Sequence, residues 1–81
     1  MKIEIIYIYL LDEGTPVWRP TMGERIDEGI YRVLPTENYD PDDEIWEFKP
    51  GAVVRCKEIT LHGPGDEPNL CMVAVEAFHE E

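Results

Sequence analysis

Serine is missing from the sequence altogether, and bases are scarce: 7 Lys and Arg stand against 18 Asp and Glu in 81 residues, a formal charge of −11. Without serine, the hydroxyl side chains besides the tyrosines are Thr15, Thr21, Thr36 and Thr60. A serine nucleophile is excluded, and neither His62, beside Gly63-Pro64-Gly65, nor His79 has a nucleophile and an orienting acid nearby in sequence. Carboxylate pairs abound, but among 18 acids chance proximity is expected, so pairing does not point to glycoside hydrolysis. No glycine-rich phosphate cradle appears either. The sequence therefore predicts neither an enzyme nor a cofactor. The scarcity of bases disfavours nucleic acid as a partner, because neutralisation of phosphates by Lys and Arg supplies most of that affinity.

Long apolar runs are also lacking. The longest, Ile5 to Leu11, is preceded by Glu4 and followed by Asp12-Glu13-Gly14, without the small-residue cleavage pattern of an export signal. Nothing approaches the roughly 20 apolar residues that span a bilayer. No membrane partner is expected, and the cytoplasm is the expected location. Cysteine is limited to Cys56 and Cys71, which with His62 and His79 invite a disulfide or a zinc site. A hairpin of Ala52 to Leu61 with Leu70 to Phe78, closed by His62 to Asn69, puts opposed residues at a sum of 131. Cys56 then faces Val75, and Cys71 lies on the order of 13 Å away along the strand, beyond disulfide reach. The alternative register would pull Asp66 and Pro68 into strand positions, where proline is disfavoured. Two reduced thiols and no metal are expected.

What the chain does have is 43% hydrophobic and 10% aromatic residues, the composition of a folded globule. Its length permits one small domain, residues 1–81, that buries about 63% of its unfolded surface. β-Branched and aromatic runs alternate with turn signals, and no helical period is sustained. Strands are expected at Lys2 to Leu11, Val17 to Met22, Gly29 to Leu34, Glu44 to Lys49, Ala52 to Leu61 and Leu70 to Phe78. Gly23 to Glu28 reads as a loop or one helical turn. Pro50-Gly51 has the composition of a type II turn. Five or six short antiparallel strands in so few residues cannot leave two open edges cheaply, which predicts an all-β fold closed into a small barrel.

Lys2 to Leu11 is apolar on both alternating faces, with Ile5, Tyr7, Tyr9 and Leu11 on one and Ile6, Ile8 and Leu10 on the other. A barrel interior covers only one of them. The other needs a loop, the C-terminal segment or a second protomer, so a homodimer through Lys2 to Leu11 is one expectation. The acidic loop Thr36 to Asp43 places Asp40, Asp42 and Glu44 at alternate positions, but Ile45 and Gly51 stand where an EF-hand needs Gly and Glu. It reads as a solvated loop. The bases Arg19, Arg32, Lys49 and Arg55 fall in or at the ends of expected strands, close to aromatic or turn residues. Guanidinium and indole groups suit planar anions and peptides through bidentate hydrogen bonds and stacking. The competing reading has Trp18 and Trp46 in the core and the bases paired across strands with Glu47, Glu58 or Glu76.

Leu10-Leu11-Asp12-Glu13-Gly14, Val17-Trp18-Arg19-Pro20, Gly29-Ile30-Tyr31-Arg32-Val33-Leu34, Trp46-Glu47-Phe48-Lys49-Pro50-Gly51 and Val53-Val54-Arg55-Cys56, in that order, resemble a family of small, uncharacterised bacterial proteins. The resemblance covers roughly residues 5 to 76 and implies no catalytic residue. The Pro-Gly turn leading into Val53-Val54-Arg55 is also similar to segments of SH3-like barrels, which supports the barrel. The resulting expectation is a non-enzymatic module of SH3-like form that binds a protein or peptide. Its expected contact residues are Trp18, Arg19, Tyr31, Arg32, Trp46 and Arg55. The alternative is an acidic inhibitor or immunity-type protein whose loop Glu37 to Glu47 enters a basic groove on its target.

Overall fold

A computed structural model describes residues 2–62 and 68–78, with the side chain of His62 outside the description. Six strands follow one another: β1 (Lys2–Leu11), β2 (Trp18–Asp27), β3 (Ile30–Val33), β4 (Ile45–Trp46), β5 (Val53–His62) and β6 (Pro68–Ala77). The described residues contain no helix. β1, β2, β3, β5 and β6 close a five-stranded barrel, and β4 adds to the end of β1 through Leu10 and Leu11. The all-β barrel read from the sequence is the fold.

Its closing seam is not antiparallel. β1 meets β6 in parallel at Tyr7 and Val73, while every other pair is antiparallel. Parity requires this, because strands that alternate in direction around a ring of odd number must meet once with the same direction. The seam is a single register pair, so β1 depends mainly on β2, to which it is matched from Lys2↔Arg25 to Tyr9↔Trp18.

The period-2 pattern of β1 sends Ile6, Ile8 and Leu10 inward, where they are essentially without solvent contact. Tyr31 and Val33 of β3, Val54 and Cys56 of β5, Ala74 of β6 and the ring of Trp46 complete the interior. Tyr39 packs edge-on against Trp46, with ring centroids 4.7 Å apart. Gly23 is the inward residue of β2 beside Ile6. A Cβ there would stand 2.8 Å from the Ile6 Cδ1, so hydrogen is the side chain that lets β2 approach.

Several sequence expectations need correction. Gly23 to Glu28 is not a loop: β2 continues to Asp27 and pairs with β3, with a bulge between Arg25 and Asp27. Pro20 does not interrupt the strand, since β3 pairs only from Gly23 onward and β2 has one neighbour at that point, so the missing N–H costs no bond to a third strand. The fourth strand shrinks to Ile45 and Trp46, held by donation from Glu47 N–H to the Tyr9 carbonyl at 2.9 Å. In the β5–β6 hairpin the sum of 131 holds at Val54↔Ala77 and Arg55↔Glu76, then a bulge after Arg55 changes it to 130. Cys56 therefore faces Ala74 and Cys71 faces Ile59, three residues apart or roughly 10 Å. Both thiols are free. Pro68 does join a strand, as its first residue, where proline is tolerated.

The turn at Pro50-Gly51 forms as read. Gly51 has φ +95° and Ala52 N–H donates to the Lys49 carbonyl at 3.0 Å.

Candidate functional site

Alternation that buries Ile6 and Ile8 turns Ile3, Ile5, Tyr7 and Tyr9 to the outside of the barrel. Register places Met22 of β2 beside Ile5, Pro20 beside Tyr7 and Trp18 beside Tyr9. Tyr9 and Trp18 meet edge-on with centroids 5.3 Å apart. On the other flank Tyr7 lies beside Val73, and Cys71 lies beside Ile59. Val73 and Cys71 are buried without belonging to the interior cluster, so part of this outer layer is closed by its own side chains. The rest is open. Ile5 is 54% exposed, Met22 48% and Ile3 46%, on adjacent strands. No described loop covers them, and Phe78, the last described residue, is placed elsewhere, its N–H donating to the Val53 carbonyl at 2.9 Å.

The edge of this wall deepens into a cavity of about 290 Å³ lined by Ile5, Pro20, Thr21, Met22, Pro35, Thr36 and Glu37. Thr21 is fixed there, its hydroxyl donating to the Leu34 carbonyl at 2.6 Å. A second hollow of about 460 Å³ shares Pro20, Thr36 and Glu37 with the first and continues past Arg19 to Asp40, Asp43 and Glu44. One groove thus changes from apolar to acidic along its length.

Glu44 holds the acidic half in place. Its carboxylate accepts from both Nε and Nη2 of Arg19, the former at 3.2 Å, and from the indole Nε1–H of Trp46 at 3.1 Å. The bonds from Arg19 hold the Glu44 carboxyl below its ordinary value, against an opposing effect of burial. Arg19 is correspondingly raised, first by that hydrogen bond, with the nearby Glu13 and Asp43 adding to it. Asp40 shapes the loop by accepting from Asp42 N–H at 2.9 Å. Among the described residues, Glu37, Asp40 and Asp43 form no ion pair. Within the described residues no group of three or more His, Cys, Asp or Glu is placed to hold a metal ion. His79 and the side chain of His62, considered for zinc, lie outside the described residues.

The six residues expected to form one contact face occupy three places. Trp46 and Tyr31 are core, 1% and 2% exposed, and cannot meet a partner without unfolding. The Tyr31 hydroxyl donates to Glu4 Oε2 at 2.8 Å at the barrel mouth, and burial first, then this bond, pushes its pKa up to about 12. Arg19 lines the acidic end of the groove, and Trp18 packs edge-on against Tyr9 on the outer face. Arg32 and Arg55 lie on β3 and β5, diagonal to each other in register. Arg32 pairs with the directly opposed Glu24 at 3.4 Å, and Arg55 pairs with Glu76 at 3.1 Å and lies 5.7 Å from the Phe78 ring centroid. Arg32 is five residues beyond the β2 position of Arg19 by that pairing, roughly 16 Å along the strand. The guanidinium groups are therefore dispersed, and each has a carboxylate partner. Arg55 with Glu76 is one of the cross-strand pairs the sequence allowed.

Sequence reasoning located the double apolar character of β1 but not the groove beside it. The missing signal was Pro35-Thr36-Glu37 at the exit of β3, which reads as the start of a loop and only acquires a role once Met22 lies next to it.

No protein-family model matches the chain, and no curated protein or solved structure matches it either.

Proposed function

We propose that this chain is a non-enzymatic binding module that takes a protein or peptide segment on the outer wall formed by β1 and β2. The observation carrying the proposal is the open apolar layer of Ile3, Ile5 and Met22 on two paired strands, in a chain whose charge otherwise favours solvation. Trp18 extends that layer on the same face and Arg19 lines the hollow at its edge, aromatic and bidentate groups of the kind used at peptide interfaces. Tyr31, Trp46, Arg32 and Arg55 act in stability instead, through the interior and through cross-strand pairs. The setting proposed is the cytoplasm; no helix among the described residues is long and apolar enough to cross a membrane.

A second reading, an acidic inhibitor of a basic target, is favoured by the carboxylates of Glu37, Asp40 and Asp43, which form no ion pair among the described residues. The two differ in salt response: an apolar contact persists at high ionic strength, and a purely electrostatic one is lost.

Panning a random dodecapeptide library against the immobilised protein tests the first reading. Selected sequences rich in aliphatic residues, with capture reduced about tenfold or more by Ile5→Asp, are the expected result, since burying one such side chain is worth roughly 1.5–3 kcal/mol. A library that yields no selected sequence, or capture indifferent to Ile5→Asp, contradicts it.

A further inference from the structure

The groove between the β1–β2 wall and the segment after β3 has two chemistries in one channel. Ile5, Met22, Pro20 and Pro35 offer an open aliphatic surface at one end. At the other, four carboxylates face one guanidinium, and that guanidinium is already taken by Glu44. What remains is an apolar cavity opening onto the three unpaired carboxylates of Glu37, Asp40 and Asp43. Fixed like charges beside an apolar surface repel one another and attract a cation whose stem is itself apolar. Lys and Arg side chains have that form.

Resting on the binding-module reading above, we propose that the groove accepts an extended peptide segment in which an aliphatic residue and a Lys or Arg stand about three positions apart. The aliphatic side chain enters the cavity bordered by Ile5 and Met22 on one side and Pro35 on the other, and the cation lies among Glu37, Asp40 and Asp43. The spacing follows from the groove's wall. Met22 lines the apolar end and Arg19 the acidic end, three residues or roughly 10 Å apart and on opposite faces of β2. An extended ligand lying along the edge that β3 leaves unpaired before Gly23 matches them with two side chains three positions apart, likewise on opposite sides. A second copy of this chain is the poorer occupant, because it brings a further −11 to a groove already negative.

The test uses heptapeptide sets with Leu, Ile, Val or, as the control, Ser at the third position and, at the sixth, Lys or Arg in one set and Glu in the other. The wild-type protein in 50 mM NaCl is expected to bind the basic set about tenfold more than the Glu set. Met22→Asp is expected to remove the preference for Leu, Ile or Val over Ser at the third position. Asp40→Asn with Asp43→Asn is expected to reduce the basic-over-Glu ratio by about threefold or more. Equal binding of the basic and Glu sets overturns the groove assignment and leaves the binding module standing. Absence of binding to both sets, up to about 1 mM free peptide, overturns both. A stable dimer by sedimentation that dissociates with Met22→Asp assigns the cavity to a second copy and also overturns the peptide proposal.

Discussion

Arg19, Glu44 and Trp46 show how one carboxylate ties a surface loop to a core. Glu44 accepts from a guanidinium that is still largely in contact with water and from an indole whose ring is buried. Its carboxyl is held below the ordinary value of 4.5, so ionised Glu44 contributes stability above that pH, and the contribution is lost as pH falls through the lowered value. Glu44→Gln keeps an oxygen for the Trp46 N–H but removes the charge. The variant is expected to be less stable by about 0.5–1 kcal/mol at neutral pH, an amount set by the solvent around Arg19. Thermal melts of both proteins from pH 7 downward should converge as Glu44 becomes protonated. A difference that persists or grows in acid would remove the ion pair from the explanation. Trp46 itself was the ambiguous residue in the sequence, since an indole next to acidic turns and Lys49 fits a surface as well as a core. Only the approach of Leu10, remote in sequence, and the folding of Tyr39 back across the acidic loop settle it.

At the scale of the strand, β1 was legible end to end because its β-branched run is bounded by Asp12-Glu13-Gly14, and the Pro50-Gly51 turn was legible because two residues specify its backbone. β2 was not, since Pro20 and Gly23 are ordinarily breakers. Pro20 is accommodated by the late arrival of β3, and Gly23 by the packing of Ile6, neither of which is local information. The β5–β6 bulge was hidden for the same reason, as no residue in it announces the extra position. The role of Gly23 has a direct consequence. An added methyl meets three atoms of Ile6 within 3.2 Å, and Ile6 has no exposed surface into which to retreat. Gly23→Ala is expected to cost about 1–3 kcal/mol, read from the urea midpoint, despite the better strand propensity of alanine. A neutral or stabilising result would mean that the β1–β2 pair can part at this point without loss.

On the scale of the whole molecule, the barrel succeeds as a small fold by closing its sheet, and closure with five strands leaves the short parallel seam between β1 and β6. Its surface carries a charge of −11. Self-repulsion of that size is screened as the Debye length falls from about 10 Å at 0.1 M salt to about 3 Å at 1 M, so the melting temperature is expected to rise in moderate NaCl. An unchanged or lower midpoint would show that the acids are placed far enough apart to ignore one another. The same acids give the outer wall its polarity, with an aliphatic layer at Ile5 and Met22 running into Glu37 and Asp43.

Backbone amide shifts on titration with a Lys-containing aliphatic heptapeptide examine that wall most directly. Movements concentrated at Ile5, Met22, Thr36 and Glu37, with β3 and β5 quiet around Arg32 and Arg55, are the predicted pattern. Movements centred on Arg32, Arg55 and Phe78, or none at saturating peptide, would contradict it.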